Sequence, residues 1–226
     1  MTPSVVIFGP HPLLTVTIER RGTGDDVHLH AGGQGVWVAR MAAELEAAPV
    51  LCGFRGGEPG AVLEHLLEAL PGERRLVGTA GTSGCYVVDR RAVERAVVAT
   101  ALSPAPSRHE VDDLFSVTTG AALGAGALVV ANPFPPDTVP LELFGSLVGD
   151  VRAAGTPVLV DLSPPRLDAA LAGGADLVKL NDWELAEYVV GSVDGADRLR
   201  AAAGRLRAAG APAVTLRSTT GVDGAP

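Results

Sequence analysis

The feature that most constrains this chain is an alternation. Short β-branched apolar runs at 4–8, 49–54, 127–131, 157–161, 176–180 and 212–216 are separated by Ala-, Leu- and Arg-rich stretches. Those at 34–47, 60–70, 140–154, 166–172, 182–189 and 196–209 read as helices. In the last, Leu199, Ala202, Ala203 and Leu206 recur at helical spacing, with Arg200, Arg205 and Arg207 outward. Strands that are apolar throughout have no solvent face, and regular strand–helix alternation predicts an α/β fold whose parallel sheet is covered on both sides. Two segments break the rhythm. Strands at 13–19 and 27–30 flank 20–26, and strands at 85–89 and 95–102 flank the charged turn 90–94. They are short, partly polar and have no helix between them, so they read as hairpins near 13–30 and 85–102 that project from the body. Hairpins of this kind serve as a lid or a dimer contact. No internal repeat or long linker divides the chain, and residues 1–226 read as a single domain.

Composition narrows the function classes. A length of 226 residues with 47% hydrophobic content can bury a substantial core and is not a disordered chain. A net charge of −8 opposes nucleic-acid binding, which needs a basic footprint. No apolar run of membrane-spanning length is free of Gly, Pro or charge, and residues 1–10 lack the pattern of a signal peptide. With only Cys52 and Cys85, the expected state is reduced thiols in a cytoplasmic protein.

Three segments carry candidate chemistry. Gly32-Gly33-Gln34-Gly35 follows a strand and opens a helix, where glycines allow a ligand close to the backbone. An ordinary glycine turn is the alternative, and the dinucleotide fingerprint is absent because its third glycine is missing. In Lys179-Leu180-Asn181-Asp182-Trp183-Glu184, a strand runs into a helix start. Asn181 and Glu184 fit a capping box; they equally stand, with Lys179, at the carboxyl end of a parallel strand, where ligands bind and a carboxylate can hold Mg²⁺ through water. Asp161 ends another apolar strand at the same edge, as a loop cap or as a ligand or metal contact. His28 and His30 share a strand face without an evident third metal ligand. Cys52 and Cys85 read as buried small apolar residues, and Trp37 and Trp183 as core or pocket-wall residues. Hydrolase-elbow, zincin and P-loop motifs do not occur.

The order of these motifs resembles the ribokinase-like PfkB family of carbohydrate kinases, in particular its 1-phosphofructokinase and tagatose-6-phosphate kinase branch. The most specific parts are Gly32–Gly35 with Val38-Ala39, Gly53-Phe54-Arg55-Gly56-Gly57-Glu58, and Lys179 to Leu185. The resemblance implies a three-layer α/β/α sandwich with a mostly parallel central sheet and a small β-strand lid that often dimerises. It implies transfer of the ATP γ-phosphoryl group, with Mg²⁺, to a hydroxyl of a sugar or sugar phosphate. Gly32, Gly33, Gln34 and Gly35 would then contact the sugar. Asn181 and Glu184 match the N-x-x-E motif that organises Mg²⁺ and phosphates, Glu184 acting through water, and Lys179 would meet phosphate charge.

The departures are equally specific. The branch opens N-P-x-x-D; here the segment is His11-Pro12-Leu13-Leu14-Thr15, without the sugar-holding carboxylate. Gln34 stands for the Lys, and Trp37 for the Asn, of G-G-K-G-x-N; Ala131-Asn132-Pro133-Phe134-Pro135 replaces S-G-S-x-P. The G-A-G-D segment that supplies the catalytic base and the anion hole does not occur, and Asp223 beside Gly224 is a poor substitute. The sequence therefore predicts a C-terminally truncated, catalytically impaired form with no assigned catalytic residue. The alternative is a non-catalytic sugar- or nucleotide-binding remnant or interaction protein.

Overall fold

The computed structural model describes residues 2–181, 184 and 195–217. The helix expected at 182–189, together with Asp182, Trp183 and Asp223, lies outside the described residues.

Parallel pairing of the apolar runs creates the body. Strands β1 (Ser4–Phe8), β4 (Ala48–Arg55), β5 (Glu73–Gly78), β8 (Ala127–Ala131), β9 (Val158–Asp161), β10 (Leu177–Asn181) and β11 (Ala213–Arg217) form one sheet. Their order is β11-β10-β9-β8-β1-β4-β5, with every neighbouring pair parallel. Strand periodicity splits the core in two. Val6, Phe8, Val50, Cys52, Leu128 and Val130 point to one face, under α3 (Arg108–Ala122), α4 (Leu141–Ala153) and α5 (Arg166–Ala172). Ala202 and Leu206 of α6 (Gly195–Ala208) extend that cluster beside Val178 and Leu180. Ile7, Leu51 and Val129 point to the other face, against Val36 and Ala39 of α1 (Gln34–Glu44) and Leu63 and Leu67 of α2 (Gly57–Leu67). The result is the expected α/β/α sandwich with a parallel central sheet. Among the described residues, no helix is long and apolar enough to cross a membrane.

A second sheet, ordered β3-β2-β6-β7, is built from β2 (Leu13–Arg21), β3 (Gly24–Gly32), β6 (Cys85–Asp89) and β7 (Ala96–Ala101). β2 pairs antiparallel with β3, and β6 with β7, while β2 and β6 pair parallel across the middle. The first turn is tighter than the sequence suggests, because the charged residues Arg20, Arg21, Asp25 and Asp26 continue the strand ladder around Gly22.

One strand and one α-helix escaped the sequence reading. β5 is a charged edge strand, where Arg74 and Arg75 meet water without cost and blunt edge-to-edge pairing. α3 carries the weak helix formers Ser116, Thr118, Thr119 and Gly120 but starts at a full capping box: Ser107 Oγ accepts the Glu110 N–H, and the Glu110 carboxylate accepts the Ser107 N–H. Trp37, expected in the core or a pocket wall, is 59% exposed on α1, with the Arg40 guanidinium 4.7 Å from its ring centroid. Its indole is wetted on the helix surface and held by a cation–π contact instead of burial. Cys52 is buried as expected, whereas Cys85 is half-buried in the second sheet.

Candidate functional site

β1 lies between β4 and β8, so the chain leaves it first in one direction and later in the other. In an open parallel sheet the crevice at the carboxyl ends of such strands is the usual ligand site. Here those ends deliver Gly9 after β1, Asn132 after β8, Asp161 on β9 and Asn181 on β10.

Backbone geometry accounts for two of the candidate glycines. Gly33 has φ +94°, and a Cβ there would lie 2.8 Å from the His11 carbonyl oxygen. Gly35 is in the first turn of α1, where a Cβ would stand 2.6 Å from Gly9 Cα. These contacts bring the start of α1 against the end of β1. Gln34 then turns towards the sheet, and its Oε1 accepts the Asn132 N–H at 2.8 Å. Gly32 ends β3 beside Thr15 of β2, whose Oγ1 would be 3.2 Å from a Cβ at that position.

A cleft of about 360 Å³ opens here, lined by His11, Gly33, Gln34, Asn132, Phe134, Ser163 and Arg166 among others. Asn132 is its hub. Its Oδ1 faces the Ser163 N–H at 3.2 Å, the Ser163 hydroxyl at 3.4 Å and Arg166 Nε at 3.4 Å. Arg166 Nη2 donates to Ser163 Oγ at 3.1 Å. The ring of Phe134 lies 5.9 Å from that of Tyr86 on the second sheet, at the rim of the cleft. His11 is 8% exposed and tilts against Phe54 at 5.6 Å. Burial pushes its pKa down to about 4, so the ring is neutral at physiological pH. Its Nδ1 has no partner among the described residues.

The second group of sequence candidates lies further along the same sheet edge. Lys179 Nζ pairs with Asp161 Oδ2 at 2.9 Å. Asp161 Oδ1 is buried with no partner among the described residues. Glu184, 4% exposed, accepts the Asn181 N–H on Oε2 at 2.8 Å, which is one arm of the expected capping box. Burial raises the Glu184 pKa above the ordinary carboxylate value; the Asp161 charge raises it further, while the Asn181 N–H and Lys179 oppose the shift. Asp161 Oδ1 and the Glu184 carboxylate are oxygen donors at one sheet edge, of the type a hard cation such as Mg²⁺ takes, although no group of three or more His, Cys, Asp or Glu side chains that could hold a metal occurs among the described residues.

Sequence reasoning located the glycine loop and the Lys179–Asn181–Glu184 edge, and it missed Arg166. That residue looks like a helix-surface arginine in sequence, and its signal is only that it directly follows Pro164-Pro165 in the turn beyond β9.

No family model matches the chain. A 1-phosphofructokinase of Vibrio cholerae is 28% identical over 198 residues, which cover 83% of this chain and 61% of that protein. The ATP-dependent 6-phosphofructokinase isozyme 2 of Escherichia coli K12 is 30% identical over 181 residues, covering 76% of this chain and 56% of the relative. The chain thus spans less than two-thirds of the length of these relatives. Phosphofructokinase-2 from Escherichia coli, solved in complex with substrates and products, superposes with a TM-score of 0.77 at 23% identity, over 96% of this chain and 73% of that one. A parallel sheet under helices on both faces, with a small β-sheet beside the carboxyl-end crevice, is the ribokinase-like α/β fold. Joined to the sequence relatives, this supports a PfkB-family, 1-phosphofructokinase-like protein.

Proposed function

We propose that this chain carries the acceptor cleft and the metal–phosphate edge of a PfkB-type carbohydrate kinase. The reaction is transfer of the ATP γ-phosphoryl group to a hydroxyl of a sugar or sugar phosphate. One observation carries the reading: a glycine-bounded cleft and a buried two-carboxylate edge occupy consecutive strand ends of one parallel sheet. Phosphoryl transfer depends on positioning and charge neutralisation, and this arrangement supports both.

In this reading Gly32, Gly33, Gln34 and Gly35 border the sugar. Gln34 is committed to Asn132, so it positions the cleft wall and leaves the main chain of the loop to approach the ligand. Glu184 would hold Mg²⁺ through water, with Asp161 Oδ1 as a further oxygen donor, and the ion would supply neutralisation of the phosphate charge. Lys179 balances Asp161 and keeps the paired carboxylates from repelling each other. Asn181 holds the Glu184 carboxylate through its backbone N–H. No catalytic base is assigned among the described residues. The second sheet acts as the lid, and its exposed Val27, Leu29, Val97 and Val98 pair with a second copy of the chain.

The test combines calorimetry with ³¹P NMR on the 226-residue chain, Mg²⁺-ATP and a panel of sugars and sugar phosphates. Appearance of a phosphorylated sugar, reduced by Glu184→Gln, supports the kinase reading. Tight sugar binding without product moves the conclusion to a non-catalytic binding protein. That second reading is favoured by the Lys179–Asp161 pair, which already engages the ammonium that would otherwise meet phosphate. Failure to bind either ligand overturns both. Sedimentation velocity with and without Leu29→Asp tests the dimer.

A further inference from the structure

We propose that α1 is a self-association surface: two copies of the chain pack their α1 helices antiparallel about a two-fold axis, through Trp37, Met41 and Leu45. The contact is separate from the second sheet and does not depend on the kinase reading.

The argument begins with a stripe. Val36 and Ala39 turn one side of α1 into the core. Trp37, Met41 and Leu45 recur every four residues, so they stack above one another on a different side. They are 59%, 67% and 75% exposed. Leu45 caps the helix and still belongs to the row, because its N–H donates to the Met41 carbonyl at 3.0 Å. Single exposed apolar side chains are ordinary, but three large ones adjoining on one helix form a patch of the kind that marks an interface. The residue types agree, since Trp, Met and Arg are enriched where proteins meet. The anchor is already set. Arg40 Nη2 donates to the Ala31 carbonyl at 3.1 Å, and its guanidinium lies 4.7 Å from the centre of the Trp37 ring. An indole held in this way loses little freedom on association.

Charge says which partner fits. Arg40 and Glu44 flank the stripe on one side, one turn apart, and neither is in an ion pair among the described residues. In an antiparallel pair related by a two-fold axis, the same flank of each helix meets its copy. Arg40 of one copy then faces Glu44 of the other, and the symmetry makes this contact twice. With Met41 on the axis, Trp37 of each copy meets Leu45 of the other. The facing Arg40 and Glu44 are then offset by about 3 Å along the helices, within reach of their long side chains. In a parallel pair the charged flank would instead meet Val38 and Ala42, and both charges would go unmatched. A stripe complementary to itself and to its own flanking charges fits a second copy of this chain better than a partner of different sequence. The contact is small. One helix pair buries less than the roughly 1,200–2,000 Å² of a stable interface, so the association is reversible and depends on concentration.

The test is sedimentation velocity on the full 226-residue chain between about 5 and 500 µM, with and without Leu29→Asp, which disables the second-sheet contact. Expected is association that survives Leu29→Asp and falls at least about tenfold with Met41→Asp. Met41 is exposed in the monomer, so this variant keeps its fold, as circular dichroism checks. Glu44→Arg sets like charges opposite each other, as does Arg40→Glu, so each variant self-associates about threefold or more weakly. An equimolar mixture of the two variants brings opposite charges together again and associates more strongly than either alone. A Leu29→Asp protein that stays monomeric across the range overturns the inference, as does association unchanged by Met41→Asp. A mixture no stronger than its components overturns the antiparallel pairing and the inference with it. Association lost with Met41→Asp and unaffected by Leu29→Asp supports α1 and removes the second-sheet dimer. Sugar and nucleotide binding are read separately, so the kinase reading stands in every one of these outcomes.

Discussion

The two sheets of this molecule use similar residues to opposite effect. In the central sheet, β1, β4, β8 and β9 are largely buried, with alternate residues feeding separate cores on the two faces. In the second sheet all six residues of β7 are exposed, and Val27, Leu29, Val97 and Val98 face water. Its hairpin tips are tied by charge, with Arg91 bridging Asp89 at 2.7 Å and Asp25 at 2.8 Å. Burial holds the body, whereas backbone pairing and screened ion pairs hold the second sheet. The same truncation should therefore cost very different amounts in the two places.

The largest effect is expected in the body. Phe144 is fully buried and packs edge-on against Phe8 at 6.0 Å, so Phe144→Ala should cost about 3–5 kcal/mol in urea unfolding. A loss below about 1 kcal/mol would break the comparison. Next comes His11, where body and cleft meet. Its ordinary value is 6.5 and its folded value about 4, so between these the unfolded chain binds more protons. Stability present at neutral pH should therefore fall by about 3 kcal/mol as pH drops from 6.5 to 4, then level off for this group. His11→Asn should flatten that segment of the stability–pH curve. Gly35→Ala should cost about 1–3 kcal/mol, because its methyl would run into the Gly9 backbone, and it should also weaken any ligand bound at the loop. Leu29→Ala on the second sheet should change monomer stability by less than about 0.5 kcal/mol, while altering self-association if that face meets another copy.

The same contrast explains what was legible in the sequence. Body strands announce themselves because burial on two faces leaves only apolar residues, and the hairpins are visible because partly polar strands lack a helix between them. β5 was not legible, since an edge strand tolerates Arg74 and Arg75. α3 was hidden by Thr118, Thr119 and Gly120 in its interior, although its Ser107–Glu110 box was there to be read. In the site, local spacing revealed the Asn181–Glu184 contact, because both groups belong to one turn. The Asn132–Ser163–Arg166 cluster was not visible in the same way. It joins the ends of β8 and β9, and only the sheet brings them together.

The parallel pairing of β2 with β6 has a kinetic consequence. Each hairpin can zip from its own turn, but joining Leu14 to Cys85 and Ile18 to Asp89 closes a loop that contains α1, β4, α2 and β5. The entropy of that closure is met only once the intervening units have docked. The junction is thus a late event in refolding, and its rate follows that of the body. A substitution that slows assembly around β4 should delay the appearance of the second sheet by the same factor, even when no residue of that sheet has changed.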